Sequence, residues 1–142
     1  MDPISDIYTM LQVTCAIIIN EGKVLVTQRN EQMKLPLKWE FPGGKIENGE
    51  SASDCLLREI AEELNIQISI ERQLPAHIYN YGSFVINLIP FVARLASGQL
   101  VLREHLDSAW LAPAQLLDLD WAPADIPIVR DFLQLYSHAA TL

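Results

Sequence analysis

Three glutamates, Glu59, Glu62 and Glu63, stand at i, i+3 and i+4 of a stretch whose apolar residues recur with helical spacing. Side chains at that spacing share one helix face, with Cβ atoms about 5–6 Å apart. Like charges so placed destabilise a helix by roughly a few tenths of a kcal/mol, and acids in the second half of a helix oppose its macrodipole. A hard divalent cation with oxygen ligands removes both conflicts, and Mg²⁺ suits carboxylates shared with phosphate groups. The alternative is a solvated acidic face with no ligand. Just upstream, Gly43-Gly44-Lys45 supplies backbone that a ligand can approach closely and a cation for phosphate. Glu40, Glu47, Glu50, Asp54 and the three glutamates, against Lys45 and Arg58, give this stretch a balance of −5 within a chain total of −8. The combination points to a metal–pyrophosphate site.

The helix that carries the glutamates is expected over residues 51–64. Ser51 can cap it, with Asp54 three residues on, and Asn65 is a suitable left-handed residue at its end. Leu56, Leu57, Ile60, Ala61 and Leu64 form one apolar stripe, and the three acids lie on an arc clear of it. The stripe is therefore expected to pack on a sheet while the carboxylates converge beside it.

Strands are expected over 9–19, with its β-branched run, and over 24–28 as a hairpin partner across Asn20-Glu21-Gly22. Residues 31–38 read as loop, and Trp39-Glu40-Phe41 as a short extended piece closed by Pro42-Gly43-Gly44. Further strands are expected over 66–74, 79–95 (with a turn at Tyr81-Gly82-Ser83), 99–103 and 108–111, then one or two helical turns over 113–117. Asp125-Ile126-Pro127 opens a final helix to about residue 138, with Ile128, Val129, Phe132, Leu133 and Tyr136 as its apolar face. Strands outnumber helices. The expected class is α+β, an α/β/α sandwich in which helices cover a central mixed β-sheet.

The chain has 142 residues, enough for one domain spanning 1–142 and for a core that needs no cross-links. Eighteen acids against ten Lys and Arg argue against binding a nucleic-acid polymer, which would call for a basic stripe. They leave room for a polyphosphate that arrives with divalent cations. Cys15 and Cys55 have no CxxC spacing and read as reduced core thiols. Without a basic, apolar leader or a run of about 18 apolar residues, a soluble cytoplasmic protein is expected, with no membrane association.

At these residues the sequence resembles the Nudix (MutT-like) hydrolases, whose box reads G-x5-E-x7-R-E-U-x-E-E-x-G-U with U a bulky aliphatic. Here it runs Gly44, Glu50, Arg58-Glu59-Ile60-Ala61-Glu62-Glu63-Leu64-Asn65-Ile66, departing only where Asn65 replaces the last glycine. Asparagine is the next-best residue for a left-handed cap, so geometry changes little. The lead-in Trp39-Glu40-Phe41-Pro42-Gly43-Gly44-Lys45 looks like that of MutT-type nucleotide hydrolases. Ala122-Pro123-Ala124-Asp125-Ile126-Pro127 looks like the nucleobase-side segment of bacterial CTP pyrophosphohydrolases, a branch of that family. With Gln28-Arg29 and Glu104-His105, the likeness runs from about Val13 to Phe132.

The resemblance implies cleavage of a nucleoside diphosphate linked to another group, which for the MutT branch turns an NTP into an NMP and pyrophosphate. It implies two to three Mg²⁺ ions with substrate, or Mn²⁺ in their place. Glu62 and Glu63 would bind metal, Glu59 would be ligand or base, and the Gly43 carbonyl a further ligand. Glu50, Gly44 and Arg58 would support the box; Arg58 could instead pair with Asp54 on the surface. Glu104 would be ligand or general base, against the alternative of an exposed loop acid. Arg29 and Lys45 could take phosphate charge, although Arg29 could be an ordinary strand-end arginine.

Asp125 would meet the base as an acceptor for an exocyclic amine such as cytosine N4, or it could simply cap the last helix. The better-known MutT pattern has Asn there, so the aspartate tilts the expected substrate to CTP, dCTP or 5-methyl-dCTP. Tyr79, Tyr81 or Phe84 could stack on a base or belong to the core. The alternatives are an 8-oxo-dGTP diphosphatase, a non-catalytic nucleotide-binding regulatory domain, or the same chemistry on a dinucleotide polyphosphate, nucleotide sugar or capped RNA. A monomer or homodimer acting on a small nucleoside triphosphate is expected.

Overall fold

The computed structural model describes residues 10–136. The chain runs β1 (Met10–Asn20), β2 (Lys23–Gln28), β3 (Trp39–Glu40), β4 (Gly43–Lys45), α1 (Ala52–Leu64), β5 (Ile66–Gln73), β6 (His77–Asn80), β7 (Val85–Gly98), β8 (Asp107–Leu111) and α2 (Ile126–Tyr136), with 3₁₀ turns at Pro113–Asp118 and Pro123–Asp125. The strands form one mixed eight-stranded sheet in which β3-β2-β1-β7-β5 is the main path. β1 and β7 are parallel, in register from Met10↔Val85 to Ile19↔Arg94. The other pairings are antiparallel.

Side chains alternate across a strand, and along β1 this alternation splits the core in two. Cys15, Ile17 and Ile19 join Val24, Val26, Phe41 and Trp121 beneath Ile128, Val129 and Phe132 of α2. Ala16 and Ile18 join Leu25 and Phe91 beneath Leu56, Ile60 and Leu64 of α1. Each fully buried Leu or Ile on α1 contributes roughly 1.5–3 kcal/mol. This is the α/β/α sandwich that the sequence leads one to expect. Cys15 and Cys55 are free and buried.

The ends of α1 follow its local signals. Ser51 Oγ accepts the Asp54 N–H at 3.1 Å. Asn65 is left-handed, with φ 58° and ψ 30°, and its N–H donates to Ala61 O. An L-residue without a compensating side chain loses about 1–2 kcal/mol in that conformation. Asn65→Ala is therefore expected to cost about that much by denaturant melt. Asn65→Gly is expected to be milder, losing only the Asn65 Nδ2 bond to Gln99 O.

Several boundaries differ from the expectations above. Gly43–Lys45 is a strand on β1, where the sequence reads as a loop closing an extended piece. Residues 99–103 form no strand: Val101 N–H donates to Leu64 O and Arg103 N–H to Glu63 O. Leu100 and Leu102 still pack on the α1-side core, so their alternation is real. The backbone pairs with the end of a helix instead of a sheet. The 79–95 strand resolves into β6 and β7, starting earlier and ending later, with the turn between them. Residue 9 and the expected end of the last helix lie outside the described residues.

Candidate active site

The apolar stripe of α1 holds its acidic face against the β4 backbone. A Cβ on Gly44 would lie 2.3 Å from Glu59 Cδ, so Glu59 occupies the space that only glycine leaves open. Thr14 Oγ1 donates to Gly44 O at 3.1 Å, and the Cys55 thiol faces the same oxygen at 3.6 Å. Arg58 fans across the acids. Its Nε and Nη2 donate to Glu50 at 2.7 and 2.9 Å, and Nη1 donates to Glu59 at 2.8 Å and Glu62 at 3.3 Å. The alternative partner, Asp54, is not the one it takes. The Arg58 hydrogen bonds hold the Glu50 carboxyl down to about 2. Glu62 is 61% exposed and Glu59 only 15%.

A cavity of about 260 Å³ opens beside this cluster. Gly43, Gly44, Glu63 and Glu104 line part of it; Tyr81, Phe84 and Asp125 line another part, with Arg29, Glu40 and His105 also on its wall. Burial pushes the Glu63 carboxyl up to about 9, helped by its hydrogen bond with Glu59 and by the charges of Glu104, Glu59 and Glu40. Glu104 itself is exposed. Its loop is tied down: Asn30 Nδ2 donates to Glu104 O at 2.7 Å, and the Arg103 guanidinium donates to Glu62 O at the end of α1.

Asp125 is buried, and its Oδ2 accepts the Phe41 N–H at 2.9 Å. Burial, then the charge of Glu40, raises its carboxyl well above the usual range. The side chain does not cap the last helix, which begins one turn earlier as the 3₁₀ turn Pro123–Asp125. Tyr81 is flanked by Tyr79, with centroids 4.6 Å apart, and stacked on Phe84 at 4.9 Å. Lys34 Nζ sits 4.4 Å from the centre of the Phe84 ring. Arg29 lines the cavity with its guanidinium on Glu40 at 2.8 Å and on the Lys34 carbonyl. Lys45 is exposed and is not part of the cavity wall.

Sequence reasoning missed Glu40 as a member of the site. One oxygen meets Arg29 and the other meets His105 Nε2 at 2.9 Å, while His105 Nδ1 is buried without a partner. The signal was present only as an acid in a short extended piece before the glycines.

The chemistry of the donor set fits a divalent cation: hard carboxylates crowd where burial, and then their mutual charge, raises Glu63, and glycine backbone lies alongside. As placed, with Arg58 drawing off Glu59 and Glu62, no three His, Cys, Asp or Glu side chains among the described residues converge as a finished cage.

The NUDIX domain model matches residues 9–132, and with this fold and box the chain belongs to the Nudix family, as a hydrolase acting on phosphoric anhydride bonds. Nudix hydrolases use divalent metal ions. Among individual proteins, the chain is 36% identical over 126 residues to the CTP pyrophosphohydrolase of Escherichia coli (strain K12), covering 89% of this chain and 93% of that one. It is 30% identical over 129 residues to the 8-oxo-dGTP diphosphatase of the same strain, covering 88% and 98%. The solution structure of the E. coli ORF135 protein matches with a TM-score of 0.80 at 33% identity, covering 98% of this chain and 99% of that one. Among the described residues no helix is long and apolar enough to cross a membrane.

Proposed function

We propose that this protein hydrolyses nucleoside triphosphates to the monophosphate and pyrophosphate, with CTP, dCTP and 5-methyl-dCTP as its preferred substrates. The observation that carries the reading is the joint occurrence, around one cavity, of Glu63 with the glycine pair and of Asp125 with an aromatic cluster. The first suits a metal-bound polyphosphate, the second a base.

In this reading Glu59, Glu62, Glu63, Glu104 and the Gly43 carbonyl would hold Mg²⁺, which would supply charge neutralisation and activate the attacking water. Arg58 holds Glu59 and Glu62 together on one side of the helix, with Glu50 as its further counter-charge. The water oxygen forms a bond to phosphorus as the phosphoanhydride bond breaks, and pyrophosphate leaves with that electron pair. One carboxylate of the set takes the water proton. Arg29 stands on the cavity wall as the cation for phosphate charge. Lys45 points to solvent and has at most an outer role. Phe84 lines the cavity with Lys34 over its ring, and Asp125 meets the polar edge of the base.

Ionised, Asp125 accepts from the cytosine N4 amine, where uracil presents O4, and so favours cytosine over uracil. A second reading, 8-oxo-dGTP hydrolysis, draws on the upward shift of that carboxyl, because a neutral carboxyl offers donor and acceptor together as an amide does. The test is pyrophosphate release from CTP, dCTP, 5-methyl-dCTP, 8-oxo-dGTP and ATP, with and without Mg²⁺. The cytidine substrates are expected to lead, and 8-oxo-dGTP leading would select the second reading. No metal-dependent turnover of any of them would end both.

A further inference from the structure

The start of the last helical segment poses an accounting problem. A helix N-terminus leaves backbone N–H groups without internal partners. Here Pro123 has none to offer, and Asp125 N–H donates to Ala122 O at 2.9 Å. Ala124 N–H remains, and Ala122 at the cap position has no side-chain acceptor. The missing acceptor comes from 43 residues earlier: Tyr81 Oη accepts the Ala124 N–H at 2.8 Å.

Tyr81 is itself rigidly seated. Its N–H donates to Phe84 O at 2.8 Å across the β6–β7 turn. Its ring lies between Tyr79 and Phe84, with the Phe84 ring inclined by only 26°. Packed against two aromatic neighbours, the ring is poorly placed to serve as a stacking platform. The hydroxyl, by contrast, grips the residue next to Asp125. The Asp125 carboxylate has a second anchor, the Phe41 N–H, reached from the other side. The acid is thus fixed through the neighbouring Ala124 N–H by Tyr81 and at its side chain by Phe41, just after β3.

We propose that Tyr81 is a specificity-determining positioning residue, whose hydroxyl sets the place of Asp125 through the Ala124 N–H instead of stacking on substrate. This rests on Asp125 facing the base, as argued above. It predicts a link between the β6–β7 turn, which carries Tyr81 and Phe84, and the discrimination made by Asp125, across two segments distant in sequence.

The test compares kcat/KM for CTP and for UTP, with Mg²⁺, in the wild type, Y81F, D125A and the double variant. Removing the hydroxyl removes one hydrogen bond, which corresponds to roughly a 3–10-fold narrowing of the CTP/UTP ratio. Y81F is expected to lower the CTP value more than the UTP value, and to add nothing to the ratio once Asp125 is gone. Amide hydrogen exchange, which needs no activity, is expected to show Ala124 losing protection in Y81F while α1 keeps its own. Equal losses on both nucleotides, additive effects in the double variant, or unchanged Ala124 exchange each overturn the proposal. If D125A narrows the ratio and Y81F does not, the proposal alone fails. If D125A leaves the ratio intact, the reading of Asp125 fails with it.

Discussion

Glu63→Gln is expected to yield a folded protein whose Mg²⁺-dependent hydrolysis is reduced by ~10²–10³-fold, the scale of losing one preorganised group that meets developing charge. The same variant is expected to be more stable than the wild type in metal-free buffer at about pH 8. An unfolded chain ionises Glu63 near the ordinary glutamate value of 4.5, whereas burial and the surrounding acids keep the proton on in the folded chain up to about 9. Between those values the native state binds a proton that the unfolded state has released, so stability falls as pH rises through the window. Glutamine has no charge to bury and flattens that slope. Added Mg²⁺ is expected to raise the melting temperature of the wild type at that pH and to raise that of E63Q much less. A variant that retains full turnover would remove Glu63 from the metal set, and one that melts with the wild-type pH slope would contradict the raised Glu63 carboxyl.

Gly43→Ala is expected to be the most damaging of the small substitutions in the glycine strand. Its Cβ would lie 1.9 Å from Thr14 O and 2.7 Å from Cys15 Cα, both backbone atoms of β1. β1 cannot yield locally, because it is paired along its length to β7, so the β1–β4 ladder must open. The expected cost is about 3 kcal/mol or more, or roughly a 10 °C fall in Tm for a chain of this size. Gly44→Ala differs in kind. Its Cβ meets the Glu59 side chain, which can rotate away, so stability suffers less and hydrolysis suffers with the displaced carboxylate. Thermal melts and turnover on the two variants separate these effects. Melting of G43A within a degree or two of the wild type would contradict the β4 pairing.

What was legible in the sequence was what local spacing encodes. Ser51, the Leu56–Ile60–Leu64 stripe and Asn65 fix α1 within a few residues of one another, and the glutamates take their direction from it. Segment 99–103 was misread because alternation at Leu100 and Leu102 reports which side chains are buried, and says nothing of what the backbone bonds to. Glu40 was passed over because Arg29 and His105 reach it from 11 and 65 residues away. The cap of the last helix was sought in Asp125, its own neighbour in sequence, whereas the acceptor is Tyr81 on another element. Local rules name the role. Only the fold names the residue that fills it.

The parallel register of β1 and β7 has a consequence for biosynthesis. Ile17, Ile18 and Ile19 find Val92, Ala93 and Arg94 only after 75 further residues have been made. At 5–20 residues per second this takes roughly 4–15 s. Until then the nascent strand has β2, β4 and α1 for company, and its other face waits longer still for α2. Slowing translation between β2 and β7 is therefore expected to lower the yield of correctly assembled sheet.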